Sequence, residues 1–163
     1  DDLPLFPREW KMLVTDSSRS QFEVVKDLIS KADLVVNAGD PDREGQLLVD
    51  EVLEFVGNTK PVQRILLNAL DEKSIHSALK GLRDNKDFYN LYQSALARAR
   101  ADWLIGMNLS RAYTLSERRK GHKVTLPIGR VKTPTLALVV RRERELEAFK
   151  PVDYFTVKGL FFL

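Results

Sequence analysis

The spacing of apolar residues changes several times along the chain, and each change marks an expected element. Residues 1–9 form an extended, proline-containing lead-in with Pro4 and Pro7. Residues 10–15 have the length and character of a short strand, and residues 16–20 supply turn and cap side chains. Over residues 21–30, Phe22, Val25, Leu28 and Ile29 recur at three- and four-residue spacing, which predicts a helix with one buried face. Residues 34–38 are a short apolar run suited to a buried parallel strand, and they end in Gly39-Asp40-Pro41-Asp42. Residues 44–56 read as a second helix with Leu48, Val52, Leu53 and Val56 on one face and Gly57 as its stop. Residues 62–67 complete a strand–helix–strand–helix–strand order. That order predicts an α/β layer with parallel strands.

The pattern shifts near Asn68. Asp71 is placed to cap a helix carrying Ile75, Ala78, Leu79 and Leu82. Residues 87–114 form a long, largely helical stretch, and residues 116–126 are polar and basic without a period. Thr133-Pro134 predicts a helix start, with Thr133 as cap and Pro134 at the first helical position. That helix runs to about residue 149, and Pro151 follows as a stop. From Tyr154 to the end, alternation of Tyr154, Thr156, Lys158 and Leu160 with Phe155, Val157 and Gly159 predicts a strand. No internal repeat or low-complexity tract interrupts these elements.

Charge sharpens the picture. The net charge of +3 hides an asymmetry. Residues 1–97 carry 12 Lys/Arg against 17 Asp/Glu, whereas residues 98–144 carry 12 against 3. A positive field concentrated in one segment suits a polyanion such as nucleic acid or a membrane surface, with ordinary solubilising charge as the plain alternative. No apolar run approaches the roughly 18 residues of a transmembrane helix, and no secretory leader is seen at the start. Cysteine is absent, which removes disulfides, a thiol nucleophile and cysteine-held zinc from this segment and suits a reducing cytosol. Two histidines, His76 and His122, have no ligand set around them and are read as non-catalytic.

Two local patterns carry chemistry. In Asp40-Pro41-Asp42-Arg43-Glu44-Gly45, three carboxylates stand at i, i+2 and i+4 directly after a strand. In an α/β sheet that is the carboxyl end, where such folds place sites. Clustered carboxylates repel one another unless a cation compensates, and a hard ion such as Mg²⁺ does so while bridging to phosphate. Glu44 could also move a proton, and Gly39 and Gly45 would relieve crowding at a tight turn. The simpler reading is a solvated turn with Asp42 or Glu44 serving the helix N-terminus. The turn lacks Walker-loop glycines and departs from an EF-hand loop.

The second pattern is basic. Arg98 and Asp102 are spaced to pair across one helical turn, either as a surface pair or as an arginine held toward phosphate. Arg100 and Arg111 lie on the same stretch, with small residues at 97, 99 and 101, and Trp103 is read as core. Arg118, Arg119, Lys120 and Lys123 make a basic cluster, either phosphate-contacting or merely solvated. Arg130, Lys132 and Thr133 immediately precede a helix whose free N–H groups suit a phosphate. Arg141, Arg142 and Arg144 interleave with Glu143, Glu145 and Glu147 as ordinary ion-pair networks.

At these residues the chain resembles a known family. Asn37-Ala38-Gly39-Asp40-Pro41-Asp42-Arg43-Glu44-Gly45-Gln46-Leu47-Leu48 resembles the acidic motif of the Toprim domain of type IA DNA topoisomerases, especially the bacterial topoisomerase III branch. Ala97 to Leu104, Gly106, and Asn108-Leu109-Ser110-Arg111 resemble that family's helical DNA-binding domain. Gly129-Arg130-Val131-Lys132-Thr133-Pro134-Thr135-Leu136 resembles its further signature. Three signatures in family order cover nearly the whole chain. They imply a partial Toprim domain over residues 1–70, a mainly helical DNA-binding domain over 71–150, and the first strand of a further domain over 151–163.

The resemblance implies Asp40, Asp42 and Glu44 as Mg²⁺ ligands, and Glu44, Arg98 and Asp102 at the reacting phosphate. Arg43, Arg98, Arg100, Arg111, Arg130, Lys132 and Thr133 would contact DNA. The partner would be single-stranded segments of supercoiled or catenated duplex, met in the cytoplasm by a monomeric parent protein. The reaction implied is ATP-independent cleavage and rejoining of one strand through a 5′-phosphotyrosine. Departures are equally clear. The family's Glu-Lys-Pro first strand has no match before Trp10, so that strand is expected to be missing. Lys132 stands where the family usually has Gln. Tyr89, Tyr92, Tyr113 and Tyr154 lack the nucleophile's surroundings, so the tyrosine is expected beyond Leu163 and the isolated chain is expected to be inactive. A non-catalytic single-stranded DNA-binding module, or another Toprim enzyme such as a primase, is the competing reading. Intact carboxylates at 40, 42 and 44 argue against the first, and the signatures around Arg98 and Arg130 against the second.

Overall fold

The computed structural model describes residues 3–162. The chain divides into two compact units, one ending at Leu104 and the next beginning at Ile105.

The first unit opens with a 3-10 turn at Asp16–Ser18 and helix α1, Arg19–Lys31. Strand β1 (Val35–Asn37), helix α2 (Arg43–Phe55) and strand β2 (Val62–Arg64) follow, then helix α3 (Glu72–Lys80) and strand β3 (Arg83–Asp84). A 3-10 turn at Asn85–Phe88 leads into the long helix α4, Tyr89–Arg119, within which the two units meet in sequence. The sheet has the order β1-β2-β3. β1 and β2 are parallel, with Val35 opposite Val62 and Asn37 opposite Arg64. β3 lies antiparallel on β2. The α/β layer with a parallel pair is therefore present, and the antiparallel two-residue edge strand is an addition that no apolar alternation announces.

Capping follows the sequence closely at two helices. Asp71 accepts the Ser74 N–H at 3.0 Å at the start of α3. Its carboxyl is held below the usual carboxylate range, chiefly by the hydrogen bonds from Ser74. At the end of α2, Gly57 takes φ of +66°, and the Asn58 N–H returns to the Leu53 carbonyl at 2.9 Å. This closes the last turn as only a left-handed residue allows.

Several expectations need correction. Residues 10–15 form no strand, because no neighbouring ladder offers them hydrogen bonds; Trp10 instead packs edge-on to Trp103 at 5.4 Å with the Arg100 guanidinium 5.3 Å from its ring. Trp103, expected in the core, is accordingly 37% exposed. On α2 the buried residues are Gly45, Gln46, Leu47 and Leu53, while Leu48 is 65% exposed. Close packing of Gly45 against the preceding turn sets the phase of that helix. The core is small: Leu47, Tyr92 and Ala95, with Leu96 against them.

In the second unit, a segment returns along α4 after Gly121, whose φ is +91°. The Thr114 hydroxyl accepts the Leu126 N–H at 2.9 Å, and the Ser110 hydroxyl accepts the Ile128 N–H at 2.7 Å. Gly106 continues this row at i, i+4 and i+8; a Cβ there would stand 3.5 Å from the Ile128 carbonyl. The basic stretch therefore lacks a period because it is strapped along a helix. Glu117 pairs with Lys120 and His122, both at 2.6 Å. Helix α5 spans Lys132–Glu147 and is capped by Val131. Thr133 is inside it, not its cap: its hydroxyl accepts the Gly129 N–H at 3.1 Å, because residues 129–131 already turn. Pro134 still falls in the first turn, where an absent N–H costs nothing. The strand expected from Tyr154 does not form over the described residues: residues 150–162 have no regular structure and no ladder partner, and Phe155, Val157 and Phe161 are almost fully exposed. Leu163 lies outside the described residues.

Among the described residues, no helix is long and apolar enough to cross a membrane.

Tyr92 provides a test of this packing. Its hydroxyl donates to Glu54 at 2.8 Å, and burial with that carboxylate pushes its pKa from 10.0 to about 12. A raised pKa means the fold holds the neutral phenol. The stabilisation is complete below about pH 10 and is lost as pH rises through 12. Tyr92→Phe should cost about 1 kcal/mol at pH 7. In urea melts from pH 7 to 12, the gap between wild type and variant should narrow above pH 10. A constant gap would refute the assignment.

Candidate functional site

The acidic turn connects β1 to α2, and it is built from contacts that leave little room. A Cβ on Gly39 would stand 2.6 Å from the Gly45 carbonyl oxygen, and one on Gly45 would stand 2.5 Å from the Asp40 nitrogen. Only glycine at both positions lets the strand end and the helix start approach this closely. Asp42 then caps α2, its carboxylate accepting the Gly45 N–H at 2.8 Å. One expected alternative for Asp42 is thus realised, with one carboxylate oxygen engaged.

Beneath the turn lies a residue that sequence reasoning did not single out. Arg64, at the end of β2, is 1% exposed. Its Nη1 donates to the Asn37 carbonyl and side-chain oxygens, to the Gly39 carbonyl at 2.7 Å and to the Ile65 carbonyl. Its Nη2 donates to the Asp40 carbonyl. Burial draws the guanidinium pKa down, while Asp50, Asp42 and Asp40 draw it back up. A buried cation is tolerated only with such partners. The available signal was a lone arginine inside the apolar run at 62–67.

Glu44 points elsewhere. It accepts from Arg98 Nη1 at 3.1 Å and lies 3.4 Å from Arg43 Nε. Arg98 Nε is also 3.7 Å from Asp102. The structure therefore gathers three predicted residues, Glu44, Arg98 and Asp102, around one guanidinium. Each of these side chains is more than a third exposed, so the ion pairs themselves contribute little to stability. Asp40 and Asp42 are exposed on the turn. Among the described residues, no three acidic or histidine side chains converge as a metal-holding group. Asp40, Asp42 and Glu44 are thus not drawn into one cluster, because Asp42 caps the helix and Glu44 is taken by Arg98. Arg100 packs on Trp10. In the second unit, Arg111, Arg130, Lys132 and Thr133 are all exposed.

A parallel strand pair with a glycine-flanked acidic turn at its carboxyl end, followed by an arginine-bearing helix, defines the Toprim class of nucleic-acid enzymes. The Toprim domain profile matches residues 8–70, and the profile described as DNA topoisomerase matches residues 86–162. The chain belongs to the type IA DNA topoisomerase family, in its bacterial topoisomerase III branch. It is 50% identical to DNA topoisomerase 3 of Vibrio cholerae over 98% of its own length and 25% of the relative's. It is 46% identical to DNA topoisomerase 3 of Haemophilus influenzae over 98% and 25%, and 39% identical to that of Bacillus licheniformis over 98% and 22%. The chain thus spans about a quarter of the length of these relatives.

Replacing Arg64 tests what holds the turn. Arg64→Met should destabilise by about 3–5 kcal/mol, since it strips donors from buried carbonyls and leaves Asp50 uncompensated. Arg98→Met, on an exposed pair, should cost under about 1 kcal/mol. Urea denaturation of both variants checks this, and equal losses would remove the case for a buried keystone.

Proposed function

We propose that this chain supplies the acidic turn and an adjoining DNA-contacting segment of an ATP-independent topoisomerase. The whole protein would cleave and rejoin one DNA strand through a 5′-phosphotyrosine, relaxing or decatenating DNA. The observation that carries this reading is Arg98 shared between Glu44 and Asp102 beside the exposed Asp40 and Asp42. The proposed division is a Toprim part over residues 1–70, a helical DNA-binding part over 71–150, and the start of a further domain at 151–163.

The donor chemistry suits Mg²⁺. Carboxylate oxygens are its preferred protein ligands, and it is commonly held by one or two of them plus water and substrate phosphate. Asp40 and Asp42 meet that requirement without the third carboxylate, and Glu44 joins them once Arg98 is drawn away. When bound, the ion supplies positive charge against the phosphate oxygens. Arg98 has two acidic partners and exposed edges, so an incoming phosphate oxygen can replace Glu44 on its Nη1. Asp102 keeps the guanidinium oriented during that exchange, and Glu44 is released to hold or pass a proton at the leaving 3′ oxygen. Arg43, Arg100, Arg111, Arg130, Lys132 and Thr133 would hold the backbone of a single-stranded segment.

The nucleophile belongs elsewhere. In the cleavage step the tyrosine oxygen bonds to phosphorus, the bond to the 3′ oxygen breaks, and the proton passes from phenol to that oxygen. Tyr92 is unsuited, being buried and with its pKa pushed up to about 12. The isolated chain should bind DNA without cutting it. The parent protein is read as a cytoplasmic monomer.

Binding of a labelled single-stranded oligonucleotide across a salt series, with and without Mg²⁺, tests the reading. Affinity should fall steeply with salt, and Arg98→Ala/Arg130→Ala should weaken it roughly tenfold or more, as two lost phosphate contacts imply. Salt-insensitive binding, or no change in the double variant, would count against it.

A further inference from the structure

Asn85 stands 45 residues from Asp40 in sequence, on the 3-10 turn before α4, outside every motif that marks the family. Its side chain nevertheless reaches the acidic turn through one intermediary. The Asn37 amide, fully buried, accepts the Gly39 N–H at 3.0 Å and Arg64 Nη1 at 3.1 Å on its oxygen. Its nitrogen donates to Asn85 Oδ1 at 3.1 Å. The same Asn85 oxygen accepts Gln46 Nε2 at 2.9 Å, and its nitrogen donates to Asp50 Oδ1 at 2.8 Å. Gln46 Nε2 also donates to Asp50 Oδ2 at 2.8 Å.

The direction of these bonds follows from chemistry alone. A backbone N–H and a guanidinium only donate, so Asn37 must face them with oxygen. It therefore faces Asn85 with nitrogen, and Asn85 must answer with oxygen. That leaves the Asn85 nitrogen toward Asp50, which only accepts. Arg64, Asn37, Asn85 and Asp50 thus form a one-way chain from the backbone under Asp40 to a carboxylate on α2. Four of its links join residues distant in sequence, so no local propensity maintains them.

We propose that Asn85 is a positioning residue for the acidic turn: by fixing the Asn37 amide it fixes the Gly39–Asp40 backbone, and so sets the Asp40 and Asp42 carboxylates for a divalent cation. The inference rests on the metal role read for those two residues above. Asn85 itself touches neither metal nor DNA. Its removal strands the Asn37 nitrogen and frees the amide to rotate. Asp50 loses one of its two neutral donors as well.

The test is direct binding of Mn²⁺, standing in for Mg²⁺, to the whole chain, followed by electron paramagnetic resonance of the free ion. Wild type should bind one ion, and Asp40→Asn/Asp42→Asn should abolish it. Asn85→Ala should weaken binding at least fivefold under conditions where circular dichroism shows it folded; Asn85→Ser is the milder replacement if alanine prevents folding. The exchange variant Asp50→Asn/Asn85→Asp restores every bond, with the 50–85 link reversed and net charge unchanged, and should return affinity to within twofold of wild type. A folded Asn85 variant with wild-type affinity, or an exchange variant no better than Asn85→Ala, overturns the positioning role while the metal reading stands. Undiminished binding by Asp40→Asn/Asp42→Asn overturns the metal reading and this inference with it.

Discussion

The first unit depends on a single buried guanidinium. Arg64 occupies the place beneath the β1–α2 turn where an apolar side chain would be the ordinary choice, and it binds carbonyls from both β1 and the turn. Backbone carbonyls at the end of a strand that stops after three residues have no ladder to receive them. Buried and unpaired, they would each cost as much as a lost hydrogen bond. Arg64 satisfies them together. The charge it introduces is balanced by Asp50, Asp42 and Asp40. The acidic turn and the buried cation are therefore one electrostatic unit: carboxylates that would repel each other above the turn are drawn toward a fixed positive charge below it.

This arrangement explains why the turn can hold negative charge without being collapsed by it. Arg98 supplies a second cation from α4, but on a partly exposed side chain with two competing acidic partners. One arginine is structural because every donor but Nε is engaged and water is excluded. The other is exchangeable because its bonds are long, shared and wet. A phosphate arriving at this surface meets a cation that can change partners beside carboxylates that cannot leave.

Legibility in the sequence divides along the same line. Local signals survived folding: the Asp71 cap, the Gly57 stop, the parallel pair around the acidic turn, and the Arg98–Asp102 spacing all act within a few residues of backbone. Signals needing a distant partner did not. Residues 10–15 and 154–162 have strand-like character, but a strand exists only where another backbone completes it. Thr133 resembles a cap, yet the turn at 129–131 had already begun the helix. The roles of Asn37, Asn85, Arg64 and Gln46 were not legible at all, because an amide buried 48 residues from its partner leaves no periodic trace.

The buried amides also account for a feature that hydrophobic patterning handles poorly. The core of this unit is small, and its most deeply buried large side chains are Arg64, Gln46 and Asn37. Apolar burial alone leaves a helix free to rotate by a residue, since neighbouring leucines are nearly equivalent; Leu47 and Leu48 illustrate how close the choice is, one buried and the other 65% exposed. A directional polar chain removes that freedom, because a rotated α2 would set Gln46 and Asp50 against groups of the wrong sense. The polar interior sacrifices some burial and in return fixes which face of α2 meets the sheet. The same constraint aims Glu44 at Arg98.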